Sequence, residues 1–392
     1  MPDQINPGMD AETFDAFMVQ FRDYVRERLV PAEKTIVETD LIPDDILAEM
    51  REMGLFAVTT PTEYGGAGMN VSQYIEYVRQ LSYAMPCFRS MTSINIGMTS
   101  AALIKSGTPE QRAEWLPRLA AGEIAAFGLT EPGSGSDSAA MQTMATRDGN
   151  GYVLNGTKRY ITNAPFAKVA LIMARTSKEA LPKNAHVSAF IVPMDTPGIT
   201  VGKSDKKMGQ AGSHIADIIM EDVHIPGDAL LGGVEGKGFQ IAMQSLDNGR
   251  LSVAAGAAGY ARRIIDTALR YATERKAFGE PIANFQLIQA MLADSEAELY
   301  AAECMIADAC RRADAGEDIL RKAAATKMFA SEACGRIADR CVQIHGGAGY
   351  LAEYEAERFF RDSRIYRIYE GTTQIMQLVI AKNMLREFAS QN

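Results

Sequence analysis

A chain of 392 residues, 47% hydrophobic and 23% charged, is long enough to bury a large core and to divide it among two or three domains. Its formal net charge of −9 leaves no basic footprint for a phosphate backbone, so a nucleic-acid partner is not expected. Five cysteines without a Cys-x-x-Cys pair and four histidines without metal-ligand spacing argue against a disulfide framework or a zinc site; no apolar run reaches membrane-spanning length and no basic-then-apolar leader opens the chain, so core thiols, no membrane and a cytoplasmic location are the expectations.

The first third reads as helices. Phe14, Phe17, Met18, Phe21 and Val25 recur at spacings of three and four, an apolar stripe that Val30-Pro31 is expected to end. Ile42-Pro43 opens a second helix that Gly54 closes, a third is expected over roughly 72–84 and a fourth over roughly 90–106. Thr108 and Gln111 form a capping box for a fifth, with Gly122 as its C-terminal stop. From Ile124 to Pro226 the period shortens, and runs such as "YVLNGTK", "KVALIMAR" and "VSAFIVP" alternate with turn dipeptides, as in an antiparallel sheet. After "GGVEGKG" the helical period returns; "AAGAAGYA" supplies small residues for close helix approach, and helices of about 30 residues suggest an antiparallel bundle. The plan is α+β and multidomain: helical over 1–123, β over 124–235, helical over 236–392.

Two stretches bear on chemistry. In "EPGSGSDS" the spacing Gly133-x-Gly135-x-x-Ser138 superficially matches a dinucleotide fingerprint, but that fingerprint needs a helix next, and the following residues look like a strand and hairpin. A Rossmann fold is therefore disfavoured, while the loop keeps the option of backbone contact with a cofactor or of being an ordinary turn. In "RIYEGTTQI" one carboxylate, Glu370, stands among Ile365, Ile368, Tyr369 and Ile375, which read as buried. It is either a solvated loop acid or one held out of water for a reason.

Five segments in order, "AFGLTEPGSGSD", "YITNAP", "ERKAFGEPI", "QIHGGAGY" and "IYEGTTQI", resemble the acyl-CoA dehydrogenase family over nearly the whole chain. The resemblance implies a C-terminal four-helix bundle, FAD as cofactor, an acyl-CoA substrate, electron-transfer flavoprotein as acceptor and a homotetramer. Desaturating an acyl thioester requires a base for the α-proton and an acceptor for the β-hydride; no side chain accepts hydride, so a flavin must. Glu370 matches the family's catalytic glutamate, its backbone N–H is expected to bind the thioester carbonyl, and Gly371 leaves room for the thioester.

For the flavin the resemblance implicates Phe127, Leu129, Thr130, Gly135 and Ser136 on one flank and Tyr160, Ile161 and Thr162 on the other. Many relatives carry tryptophan at 160, and by itself Tyr160 reads equally as a core aromatic. Arg275, Phe278 and Gln286 match a segment by which one subunit grips its neighbour's FAD, and Gln343, Gly346, Gly347, Thr372 and Gln374 match further ADP contacts. Taken alone, Arg275 reads as a solvated helix-end charge. Asp247 and Arg250 match the pair that meets CoA, with Ser136, or else form a surface ion pair. Ala211 stands where many members have arginine. Arg89 and Ser90 resemble a segment of glutaryl-CoA dehydrogenases that receives a distal carboxylate; the alternatives are an arginine that points to solvent or bridges to an acidic neighbour. Rival outcomes on the same fold are a reductase, a decarboxylating or desulfinating relative, or a non-catalytic acyl-CoA-binding protein.

Overall fold

The computed structural model describes residues 6–391, and the side chains of all of these but 247, 248 and 391. Asp10 caps α1 (Ala11–Tyr24) by accepting the Thr13 N–H at 2.9 Å. The helix does not stop at Val30-Pro31. A π-helical turn, Val25–Leu29, passes the chain into α2 (Val30–Thr39), and Pro31 then occupies the first turn of α2, where a missing N–H costs little. α3 (Asp44–Glu52) starts behind Pro43 and is followed by Gly54 in the left-handed region (φ 68°). Asn70 and Gln73 make a capping box for α4 (Val71–Leu81).

The fourth helical stretch begins earlier than expected, because Pro86 takes its first position: α5 (Pro86–Ser93) runs through a π-helical segment, Ile94–Ser100, into α6 (Ala101–Ser106). The Thr108–Gln111 capping box opens α7 (Pro109–Ala120), and Gly122 has φ 87°.

Seven strands follow: β1 (Ala125–Gly128), β2 (Met144–Asp148), β3 (Gly151–Thr162), β4 (Val169–Arg175), β5 (Val187–Pro193), β6 (Ile199–Val201) and β7 (Ile215–Ile225). The order is β1-β4-β2-β3-β7-β6, with β5 on the other side of β4. Most pairs are antiparallel, but β1 and β4 pair in parallel, Ala125 opposite Val169, because the chain crosses between them through the β2–β3 hairpin. The β3–β7 ladder slips between Lys158 and Ile161, a bulge that turns Tyr160 out of the pleat. One face of the sheet buries Leu154, Phe190 and Ile218; the other packs Leu171 and Ile191 on Leu103, Trp115 and Leu119 of α6 and α7.

The last third holds α8 (Gly238–Glu274), a short hairpin of β8 (Lys276–Ala277) and β9 (Glu280–Pro281), α9 (Gln286–Asp314), α10 (Leu320–His345), α11 (Glu355–Ser363) and α12 (Thr373–Gln391). α8 is the central spine, and its small residues let it lie against α4: a Cβ at Gly259 would fall 2.0 Å from the Arg79 carbonyl oxygen. The largest core joins Phe21, Tyr77, Tyr260, Ile337 and Phe359 from both helical regions. Four cysteines are buried, but Cys304 is exposed on α9. Among the described residues no helix is long and apolar enough to cross a membrane.

Candidate active site

The site is built on a turn between α11 and α12. Glu370 has φ 53° and Gly371 φ 97°, so two successive left-handed residues reverse the chain before Thr372 caps α12 by accepting the Ile375 N–H at 3.2 Å. A bulky residue in that region is strained, and the turn persists because α10 holds it from behind. Lys327 Nζ donates to the Gly371 carbonyl at 2.7 Å, Thr373 Oγ1 donates to Glu332 at 2.7 Å, and Arg367 lies 3.3 Å from the same carboxylate. Ile368, read from sequence as buried, is exposed: its neighbour Tyr369 takes the inward position.

The turn drives the Glu370 side chain, 13% exposed, toward α5 and α8. One oxygen lies 3.5 Å from Arg89 Nη2; the other, Oε2, accepts no hydrogen bond from any described residue. Its space exists because residue 249 is glycine: a Cβ there would stand 2.0 Å from Oε2 and 3.0 Å from Met98 Cε on the π-helical segment. Burial raises the Glu370 carboxyl above its ordinary range, an effect moderated by Arg89, Lys327 and Arg250. A dry carboxylate with one open oxygen is what proton abstraction requires. The Glu370 backbone N–H likewise donates to no described residue.

Arg89, 3% exposed, does not point to solvent. Its Nη1 donates to the Tyr369 hydroxyl at 3.3 Å and its Nη2 to Ser252 Oγ at 3.1 Å, while Tyr74 also donates to Ser252 at 3.3 Å. Its acidic neighbour is Glu370 itself, and its Nε has no partner among the described residues. Ser90 is buried and lends its carbonyl to Asn163 Nδ2 at 3.2 Å. The serine hydroxyl at the guanidinium is that of Ser252 rather than Ser90, and the sequence reading did not single it out although it lies within one helical turn of Gly249 and Arg250. Arg250 is buried, so the surface ion-pair alternative fails for it; the Asp247 side chain lies outside the described residues. Ala211 packs against the main core beside Gln210, whose N–H donates to Asp362.

The strand segments form a second surface. Phe127 is the penultimate residue of β1, and the Thr130 carbonyl accepts the Arg159 N–H at 2.8 Å, tying the two predicted flavin flanks together. Beneath them lies a pair that the sequence reading missed: Lys158 Nζ is 2.6 Å from Glu131 and also donates to the Leu129 carbonyl at 3.4 Å. Glu131 in turn accepts the backbone N–H groups of Gln142 and Thr143 at 2.5 and 3.0 Å, which pins the glycine-rich loop. Nothing in the strand marked the pair, since Lys158 stands among Asn155, Thr157 and Arg159, and only the fold buries the lysine while its neighbour Arg159 stays partly exposed.

Tyr160 is 59% exposed at φ 58°, which rules out the core-aromatic alternative. Ile161 is buried and Thr162 half-buried, and the hydroxyls of Thr130 and Thr162 make no hydrogen bond to a described residue. Gly135 and Ser136 are exposed, and a Cβ at Gly135 would meet nothing. The Arg159 guanidinium lies 5.4 Å from the centroid of the Tyr160 ring, and a ring so largely exposed beside unspent hydroxyls suits a flat heteroaromatic partner. Asn163 joins this surface to the Glu370 cluster, since it directly follows β3 and grips α5 one residue from Arg89.

Arg275 and Phe278 sit on the exposed connection between α8 and α9, where Phe278 is 97% exposed, and Gln286, also exposed, opens α9. Tyr271 stacks on His345 at 4.0 Å, which brings Gln343, Gly346 and Gly347, all exposed, to the same end of the bundle. Thr372 and Gln374 are elsewhere: the Lys327 that holds their turn is separated from Gln343 by about 24 Å of α10. The chain thus brings together Glu370, Gly371, Arg89 and Arg250, and separately the strand surface and the bundle end. A shallow depression of about 460 Å³ lined by Tyr24, Arg28 and Glu49 shares no residue with any of these.

The chain matches the N-terminal, middle and C-terminal domains of acyl-CoA dehydrogenase over residues 11–123, 126–223 and 236–385. It is 40% identical over 380 residues to the human mitochondrial short-chain specific acyl-CoA dehydrogenase, covering 97% of this chain and 92% of that one. It is 39% identical to a subunit of the caffeyl-CoA reductase-Etf complex of Acetobacterium woodii, over 90% of this chain and 92% of the other. The solved butyryl-CoA dehydrogenase of Megasphaera elsdenii superposes with a TM-score of 0.91 at 33% identity, covering 96% of this chain and all of that one. With a buried carboxylate facing an arginine and an exposed aromatic ring tied to it through Asn163, the chain belongs to the acyl-CoA dehydrogenase family and is an FAD-dependent oxidoreductase.

Proposed function

We propose that this chain desaturates a short acyl-CoA thioester between Cα and Cβ, with Glu370 as the base. The observation that carries the reading is the buried Glu370 side chain with one oxygen free of hydrogen bonds and its own N–H unspent. Glu370 takes the α-proton, and its N–H receives the negative charge that develops on the thioester oxygen, as an oxyanion-hole donor does. FAD, when bound, supplies the acceptor for the β-hydride. Phe127, Leu129, Thr130, Gly135, Ser136, Tyr160, Ile161 and Thr162 hold its ring system, and Thr372 and Gln374 reach it from the start of α12. Arg250, Asp247 and Ser136 meet the CoA portion. Arg275, Phe278 and Gln286, with Gln343, Gly346 and Gly347, serve the cofactor of a second copy in a homotetramer; a nearly bare Phe278, and the about 24 Å of α10 between Gln343 and the Lys327 that holds the Glu370 turn, support that division. Electron-transfer flavoprotein is the acceptor, in keeping with a relative named as part of an Etf complex.

Anaerobic mixing of the purified yellow protein with butyryl-CoA tests this. The visible flavin band of the parent bleaches, and that of Glu370→Gln does not although its FAD is retained. A colourless protein that refuses FAD, or a Glu370→Gln protein as fast as the parent, overturns the reading.

A second substrate reading is favoured by Arg89. A guanidinium in the cluster with Tyr74, Ser252 and Tyr369, with its Nε unpaired, suits an acyl chain ending in an acid. Arg89→Ala then weakens turnover of glutaryl-CoA far more than that of butyryl-CoA; an equal effect on both removes this reading. Product analysis with an artificial acceptor separates plain desaturation from decarboxylating, desulfinating or reductive outcomes.

A further inference from the structure

We infer that Lys327 is a positioning residue for the reaction: its ammonium, bonded to the Gly371 carbonyl, holds the left-handed Glu370–Gly371 turn and supplies positive charge that keeps Glu370 ionised. The inference rests on the reading of Glu370 as the base.

Lys327 lies in the middle of the bundle at 0% exposure. A lysine so placed is costly unless its charge is answered, and its ammonium donates to one backbone oxygen, 2.7 Å away, in the residue after the base. The Gly371 carbonyl is fixed at a point where φ is 97° and its predecessor is at 53°, so losing that bond frees the most strained part of the turn. Glu332, one and a half helical turns along α10, braces the same turn through Thr373 and Arg367, and the two contacts together fix the direction in which Glu370 leaves the backbone.

The charged and titratable groups around Glu370 come from every element packed on it. Arg89 approaches from α5, Arg250 from α8 and Lys327 from α10; Tyr74 on α4 and Tyr369 on the turn itself are neutral. Around Lys327 stand Glu370, Arg250 and Glu332. Burial draws the Lys327 pKa down to about 8, with Glu370 opposing that shift, so the ammonium is still mainly charged at neutral pH. Both effects therefore act in one direction: a cation beside a dry carboxylate favours its ionised form, and only that form takes a proton.

Three variants separate charge from tether. Lys327→Gln keeps a donor for the Gly371 carbonyl but no charge, Lys327→Arg keeps both, and Lys327→Met keeps neither. Each is loaded with FAD and mixed anaerobically with butyryl-CoA across pH, and the ionisation of the Glu370 carboxyl is followed in the same proteins by infrared difference spectra against their Glu370→Gln counterparts. In Lys327→Gln the acidic limb of the flavin-reduction profile and the infrared titration both move to higher pH by about one unit, the low end for loss of a neighbouring opposite charge. Lys327→Arg leaves both where they are in the parent. Lys327→Met shows the same limb as Lys327→Gln and a further loss of rate of up to about a hundredfold from misplacement of the base. The inference is overturned if the limb stays in place in Lys327→Gln, or moves equally in Lys327→Gln and Lys327→Arg. Should Lys327→Met fail to fold, the Gln and Arg pair still decides. A parent protein that does not reduce its flavin refutes the reading of Glu370, whereas a reactive parent with an unmoved limb in Lys327→Gln refutes only the role of Lys327.

Discussion

The contact between Gly249 and Glu370 permits a substitution that separates activity from stability. A methyl group at 249 would stand 2.0 Å from Glu370 Oε2, whereas ordinary van der Waals contact begins near 3.4 Å, so the carboxylate has to retreat by about 1.4 Å. The obstacle is the free end of a side chain rather than backbone, and alanine inside α8 gains about 1 kcal/mol of helix propensity over glycine. Gly249→Ala is therefore expected to melt at or slightly above the parent's temperature. Its chemistry suffers, because a displacement of that order at a reacting atom costs roughly a hundredfold in rate, or about 2.7 kcal/mol in the barrier. Single-turnover flavin reduction by butyryl-CoA reads the rate and thermal melting of the holoprotein reads the stability. A Gly249→Ala protein that reduces its flavin at the parent's rate shows that the base does not work from the place it occupies here.

Three further outcomes follow from the same geometry. Removing one partner of the buried Lys158–Glu131 pair costs about 3–5 kcal/mol, and Glu131→Leu is the worse, since it strands an ammonium with only the Leu129 carbonyl and frees two backbone N–H groups; Lys158→Met combined with Glu131→Gln recovers part of the loss, as urea unfolding will show. Burial lifts Glu370 above the 4.5 of an exposed glutamate, so folding favours its protonated form: that contribution is whole below pH 4.5 and is lost as pH rises through the raised value. Glu370→Gln, which cannot ionise, accordingly melts above the parent at neutral pH, and the gap closes on acidification; a gap that widens in acid contradicts the raised pKa. Tyr160→Ala leaves apoprotein stability within about 1 kcal/mol, because the exposed ring packs on little and sits at a strained φ, yet lowers FAD retention at least tenfold, measured by quenching of flavin fluorescence on rebinding.

Much of this molecule is written locally. The Thr108–Gln111 capping box, the glycines at 54 and 122, the prolines that open α5 and α7, and the switch of period at Ile124 are patterns of a few neighbouring residues whose physics is complete within one turn of chain. The same holds for Glu370: an acid between Tyr369 and Gly371 just ahead of a capping Thr372 announces a special turn. Where local rules compete, the outcome slipped by a few residues, as when a π-helical turn carried the first helix past Pro31. The parallel pairing of β1 with β4 has no local signature, because it depends on where a distant strand comes to rest. What the base touches is equally non-local. Arg89, Gly249, Ser252, Lys327 and Glu370 come from three helices and a turn, and the Lys158–Glu131 pair spans 27 residues. Each of these side chains is polar or minimal and unremarked in its own segment; only packing, which takes water away from all of them together, turns them into partners and gives their charges a role.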